Sequence, residues 1–252
     1  MIPGKTPLLA AEGLAVGHEK TLVSDISLEI GAGECILLCG PNGSGKSTLL
    51  HTFADMLPPL SGRLQTSAVA LIPARIPKIS GFTLSEFIRI SMYRHSSWNG
   101  RLAKNAEKAL DTALRLLDIG PLADRDIATL SDGEFQRGCI ATALVRILLS
   151  EKQGEREGLP ATQADAGGLI LLDEPTAYLD VEGRIQVLRL LRDIVRETGT
   201  AVLFSSHDLT DSVSIATRIL GITRDGHLLD ARPEESAGLF KTCFPTSQRN
   251  NP

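Results

Sequence analysis

Glu34-Cys35-Ile36-Leu37-Leu38-Cys39-Gly40-Pro41-Asn42-Gly43-Ser44-Gly45-Lys46-Ser47-Thr48 carries an apolar segment straight into a glycine-rich loop. A short apolar run without alternation is the pattern of a strand buried on both faces. The loop that follows, residues 40–48, fits G-x-x-x-x-G-K-[ST]. Its small residues let consecutive backbone N–H groups turn inward on a phosphate. Residues 47–56 read as a helix, ended by Pro58-Pro59 and Ser61-Gly62, and the N-terminal end of that helix adds its dipole to the anion site. Taken alone the loop is a glycine-rich turn with an exposed lysine. The strand, loop and helix order makes all of Gly40, Pro41, Asn42, Gly43, Ser44, Gly45, Lys46, Ser47 and Thr48 candidates for phosphate binding. Lys46 would reach the β- and γ-phosphates of a nucleotide, and the Ser47 hydroxyl would hold Mg²⁺.

Outward from this loop, residues 8–29 alternate apolar and polar around turn signals, as in an antiparallel part. Leu102, Ala106, Ala109, Ala113 and Leu117 recur at helical spacing, and Gly120-Pro121 stops that helix. A second helix is expected over 132–149. Residues 78–150 therefore read as a helical subdomain inserted into an α/β core formed by 8–77 and 151–230. The core resumes with a buried strand at 169–173, an amphipathic helix near 183–197 ending at Gly199, and a strand at 200–205. Strands alternating with helices imply a mostly parallel sheet. Residues 151–168, polar and without periodicity, read as an exposed loop, and 231–252 as a tail.

Composition narrows the class. The chain has 252 residues, 42% hydrophobic and 22% charged, which suits one domain over positions 1–252 with a substantial core. Its apolar runs are shorter than the roughly 18 to 20 residues of a membrane helix, and Met1-Ile2-Pro3-Gly4-Lys5 lacks the apolar core of a secretory signal. A cytosolic chain is expected. The net charge of -4 argues against a nucleic-acid partner. Cys35, Cys39, Cys139 and Cys243 show no C-x-x-C pair, which argues against a metal or disulfide role.

Three further segments bear chemistry. The strand Leu169-Ile170-Leu171-Leu172 delivers Asp173 and Glu174 at its C-terminal end, where ligands bind in open α/β sheets. Beside a phosphate loop, Asp173 is the candidate Mg²⁺ contact and Glu174 the candidate general base toward water. His207 follows the strand 202–206 and emerges at the same edge, able to hydrogen-bond a γ-phosphate and position the water. In Leu130-Ser131-Asp132-Gly133-Glu134-Phe135-Gln136-Arg137, Ser131 and Glu134 form a capping-box pattern. Such a helix start, with Gly133 in its first turn, also offers free N–H groups to an anion.

In this order of motifs the chain resembles the ABC transporter ATPases, over about residues 8–229. That family carries a phosphate loop, a Leu-Ser-Gly-Gly-Gln signature, a paired Asp-Glu, a downstream loop aspartate, matched here by Asp180, and a switch histidine, matched by His207. The resemblance implies a P-loop NTPase with a RecA-like, mostly parallel core, an antiparallel β part and the helical subdomain. It also implies a head-to-tail homodimer sandwiching two ATP molecules with Mg²⁺. Ser131 and Gly133 would then serve the partner's ATP, Asp180 would lie at the seam, and His18 would stack on adenine in place of the family's aromatic residue. Catalysis would fall to Glu174, His207 and Lys46.

The likeness is greatest to importers of iron complexes such as siderophores, haem and cobalamin. It implies an integral membrane permease as partner, a solute-binding protein acting indirectly, and a place on the inner face of the membrane. An exporter ATPase and an ABC ATPase without a channel are the alternatives; a small-molecule P-loop kinase would have no use for the signature. Three positions depart from the family. Asp132 stands for the first signature glycine, where its charge would oppose a phosphate unless the side chain turns away. Glu134 stands for the glutamine. Ala74 stands where the family's coupling glutamine contacts Mg²⁺ and the membrane partner.

Overall fold

The computed structural model describes residues 6–93, 102–150 and 167–245. Two sheets form its frame. The smaller is antiparallel: β1 (Leu9–Gly17) lies between β2 (Thr21–Ile30) and β4 (Ser61–Thr66). The larger has six strands in the order β5-β6-β7-β3-β8-β9, comprising β5 (Val69–Ile72), β6 (Leu169–Leu172), β7 (Ala201–Ser205), β3 (Cys35–Cys39), β8 (Arg218–Ile222) and β9 (Leu228–Ala231). All its neighbours pair in parallel except β9, which runs antiparallel on β8. The central β3 therefore carries the phosphate loop at mid-sheet, with β7 on one side and β8 on the other.

The unbroken apolar strands are explained by what covers their two faces. Leu37, Leu172, Val202, Phe204 and Ile219 point into a core shared with the helices, whereas Ile36, Leu38, Leu171, Leu203 and Leu220 point into a second core. The second core is closed by β1, β2 and α1 (Lys46–Phe53) through residues such as Leu14, Ile26, Leu49 and Phe53. With apolar partners on both sides, period-two alternation vanishes. Between β5 and β6 the chain forms α2 (Leu84–Ile90), α3 (Lys104–Leu116) and α4 (Asp132–Ser150). Their buried faces, including Leu84, Ala113 and Leu144, join the helix-side core. α5 (Val181–Thr198) lies in the same layer and ends at Gly199 in a left-handed cap, φ 71°, and the short α6 (Leu209–Val213) follows β7.

The helix after the phosphate loop ends at Phe53, with Ala54 as its cap, rather than at residue 56. The exposed loop expected at 151–168 falls almost wholly outside the described residues. The expectation of a tail from 231 needs correction: Ala231 closes β9, and α7 (Ser236–Cys243) is a helix seated on β8. Gly221 makes that seating possible, because a Cβ there would stand 2.7 Å from both Cys243 Sγ and Leu239 Cδ2. All four cysteines are free and buried.

Candidate active site

The phosphate loop is wrapped around its lysine. Lys46 opens α1 with only 6% of its surface exposed, and its Nζ donates to the carbonyls of Gly40 at 2.9 Å and Pro41 at 3.1 Å. Burial lowers its pKa from the usual lysine value, and the nearby carboxylates of Glu174 and Asp173 oppose that shift. Gly45 caps the helix at φ 102°, and a Cβ there would press on Leu22 Cβ at 3.1 Å and Val23 Cγ2 at 3.2 Å. The loop thus needs glycine both for its backbone and for its approach to β2. The Ser44 Oγ is buried and, among the described residues, has no hydrogen-bond partner. A hydroxyl left unsatisfied in a loop that gathers N–H donors fits a phosphate oxygen as its acceptor.

The carboxylates arrive at the C-terminal end of β6, held by a residue the motif reading passed over. Ser205, the last residue of β7, donates from Oγ to Asp173 Oδ1 at 2.8 Å and accepts from the Glu174 backbone N–H at 2.8 Å. Asp173 is 6% exposed. Glu174 adopts φ 49°, a conformation that costs energy outside glycine and concentrates at functional positions. His207 Nε2 stands 2.5 Å from Glu174 Oε1, so the candidate base and the switch histidine are in direct contact. Asp208, next along, pairs with Arg184 of α5 at 2.9 Å, which ties the histidine's loop to the helix beyond Asp180. Among the described residues no group of three or more His, Cys, Asp or Glu converges as a metal cage. Ser47 and Asp173 nonetheless suit Mg²⁺, which keeps waters and binds through one or two protein groups plus substrate phosphates.

A second cluster lies at the start of α4. Both halves of the capping box are present: Ser131 N–H donates to Glu134 Oε2 at 2.7 Å, and Glu134 N–H donates to Ser131 Oγ at 3.2 Å. Ser131 Oγ is the acceptor in that bond, and its hydroxyl also helps stabilise the Glu134 carboxylate. Asp180 caps α5 by accepting from Gly183 N–H at 2.8 Å. Ser131, Gly133, Arg137, Asp180 and Gly183 share a cavity of about 370 Å³ that no phosphate-loop residue lines. His18 is exposed in the turn joining β1 to β2, the strand whose Leu22 and Val23 flank Gly45.

Asp132 lines the same cavity as Ser131 and Gly133, and its charge has a partner that the sequence reading did not name. Its carboxylate turns to Lys78, whose Nζ donates to Asp132 Oδ1 at 2.7 Å and to the Leu130 carbonyl at 2.8 Å. Lys78 lies 54 positions away in sequence, beyond the reach of local pattern. At Ala74 the side chain is apolar, but its neighbour Arg75 donates to Tyr178 Oη at 2.8 Å and stacks on that ring at 4.8 Å.

The order phosphate loop, signature, Asp-Glu and histidine is thus set on a sheet that brings Lys46, Asp173, Glu174 and His207 to one edge, and residues 23–149 match the family described as ABC transporter. The chain belongs to the ABC transporter family. It is 33% identical over 235 residues to the hemin import ATP-binding protein HmuV of Nitrobacter winogradskyi, covering 89% of this chain and 82% of that protein. It is 29% identical over 253 residues to the achromobactin transport ATP-binding protein CbrD of Dickeya dadantii, covering 94% and 87%. A solved ABC transporter in an inward-facing conformation has the same fold, with a TM-score of 0.78 at 22% identity over 95% of this chain and 89% of the other. Like the rest of its family, this ABC ATPase binds ATP and hydrolyses it to power transport. No helix among the described residues is long and apolar enough to cross a membrane.

Proposed function

We propose that two copies of this ABC ATPase close head to tail over two ATP molecules and drive import of an iron complex, of the siderophore, haem or cobalamin kind, through a membrane permease. The single observation that carries the dimer is the division of the candidate residues. Lys46, Asp173, Glu174 and His207 gather at one edge of the sheet, whereas Ser131, Gly133 and Asp180 share a separate cavity. Each cluster is half of a nucleotide site, and a second copy supplies the missing half. The cargo class rests on the likeness to importers named for hemin and achromobactin. The permease would hold the subunit at the inner face of the membrane, with a solute-binding protein acting at one remove.

In this reading Lys46 neutralises the β- and γ-phosphates, Gly40 to Thr48 surround them with N–H groups, and Ser44 supplies the hydroxyl that now lacks a partner. Mg²⁺, held by Ser47 and Asp173, would neutralise charge on the phosphate oxygens. Glu174 leaves its contact with His207 to accept the proton of the attacking water, while His207 turns to the γ-phosphate. Ser131, the Gly133 N–H and the positive end of α4 close the opposite side, and His18 stacks on the base. Glu174→Gln removes the base but keeps every phosphate contact. The variant should bind ATP, lose at least about a hundredfold in hydrolysis, in line with loss of a general base, and sediment as a dimer with ATP. A variant that hydrolyses ATP at the wild-type rate, or stays monomeric at saturating ATP, overturns the assignment.

A further inference from the structure

We propose that Lys78 is a positioning residue for the signature, which cancels the charge of Asp132 so that the start of α4 can receive the partner's γ-phosphate. The inference rests on the head-to-tail reading above and adds to it how this signature tolerates an aspartate. Asp132 lies in the first turn of α4, where the helix's positive end attracts an anion. Left alone, its carboxylate would occupy that field and repel a phosphate. The Lys78 ammonium instead binds Asp132 Oδ1 at 2.7 Å and the Leu130 carbonyl at 2.8 Å, and lies 5.7 Å from the centre of the Phe135 ring. It thereby spans the signature from the residue before Ser131 to the residue after Glu134. The pair is neutral as a whole, with side-chain exposures of 26% for Lys78 and 65% for Asp132.

An ion pair this exposed does little for folding. Its effect is on the charge an incoming polyanion meets, which changes by one unit when either partner is removed. The lysine comes from the segment after β5 that also carries Ala74. Arg75 of that segment holds Tyr178, between Glu174 and Asp180. The two cations thus bind one short segment to both faces of the cavity of about 470 Å³ that Ala74, Lys78, Phe135, Glu174 and Tyr178 line. Where a glutamine at 74 would reach toward the nucleotide of its own subunit, Lys78 acts on the surface offered to the partner's nucleotide.

The test is ATP-dependent dimerisation of the full chain in the Glu174→Gln background, followed by sedimentation across ionic strength. Lys78→Met keeps the side-chain stem and leaves Asp132 uncompensated. It should weaken dimerisation about tenfold at low salt and less than about twofold near 1 M, where the screening length falls to about 3 Å. Asp132→Asn should dimerise at least as well as the parent. Lys78→Met with Asp132→Asn should return to the parent's constant, and Lys78→Arg should stay near it. A purely structural lysine would show neither the salt dependence nor the rescue. If the Glu174→Gln parent stays monomeric with ATP, the sandwich falls and this inference with it. If the parent dimerises and Lys78→Met matches it at low salt, or Asp132→Asn fails to rescue Lys78→Met, only the charge compensation is overturned.

Discussion

The phosphate loop and the signature are both helix N-termini proposed to meet phosphate, but they are built in different ways. The loop at 40–48 is nearly self-sufficient. Its own lysine turns back on its own carbonyls at 2.9 and 3.1 Å, and its glycines set the backbone. The signature at 130–137 borrows its electrostatics: Lys78 meets Asp132, and Arg125 reaches Glu134 at 3.3 Å and the Thr129 carbonyl at 3.0 Å. A motif that works through backbone N–H groups tolerates little change within itself. One whose charge is balanced from elsewhere can accept an aspartate and a glutamate, provided the distant partners change with it.

That contrast is tested first by Lys46→Ala, for which the largest effect is expected. Hydrogen bonds to charged groups contribute about 1.5 to 3 kcal/mol, so ATP affinity of the isolated monomer should fall by about tenfold to a hundredfold in a calorimetric titration. An unchanged affinity would remove Lys46 from the site and end the comparison. Ser131→Ala should behave in the opposite way. Loss of a serine cap costs about 1 kcal/mol of stability; if the signature serves the other subunit, as proposed, ATP affinity of the monomer should stay within about twofold while hydrolysis falls. A drop in monomer affinity equal to that of Lys46→Ala would place Ser131 on its own subunit's nucleotide.

Ser205→Ala sharpens the same contrast from the side of the sheet. It deletes the hydroxyl that joins Asp173 Oδ1 to the Glu174 N–H and leaves both groups at the buried end of β6. A lost buried hydrogen bond costs about 1 to 3 kcal/mol, so thermal unfolding should shift down measurably, with hydrolysis impaired more than ATP binding. Equal loss of both would show that Ser205 supports the phosphate loop as well as the carboxylates.

How much of this was legible in the sequence follows from the range of each interaction. β3, the loop, β6 and the residues at their ends are readable because buried parallel strands give unbroken apolar runs and the loop has fixed spacing. The reciprocal bonds of Ser131 and Glu134 are equally local. Ser205, although adjacent in the chain to the histidine's loop, carries no signature of its own; only the parallel register of β6 and β7 brings it to Asp173. Lys78 is hidden for the same reason, since nothing near it in sequence names Asp132 as its partner. The helix α7 escaped notice because it spans eight residues, with Gly238 inside it, and buries only Leu239 and Cys243. Such a helix is defined by the surface of β8 that receives it, not by an apolar period of its own.

The smallest effect expected belongs to Glu134→Gln, which puts the family's more usual residue into the signature. Gln can still accept from the Ser131 N–H through its carbonyl oxygen, so the geometry of the cap survives, but the charge does not. In the native protein the Ser131 backbone N–H holds the Glu134 carboxyl below the usual 4.5, aided by the Ser131 hydroxyl and by Arg125 and Arg137. A carboxylate whose folded pKa is depressed contributes stability that is present above its unfolded pKa and is lost as pH falls through the folded value. The wild type should therefore unfold at a slightly higher temperature than Glu134→Gln near pH 7. That gap should close as the pH drops from about 4.5 through the depressed value, because a protonated glutamate and a glutamine present nearly the same shape and no charge. The check is the midpoint of thermal unfolding for both proteins from pH 7 down to pH 3. A gap that persists unchanged at the acid end would show that charge is not its cause, whereas no gap even at pH 7 would mean that the cap works by shape alone, and that the start of α4, like the phosphate loop, owes its stability to its own backbone rather than to the charges around it.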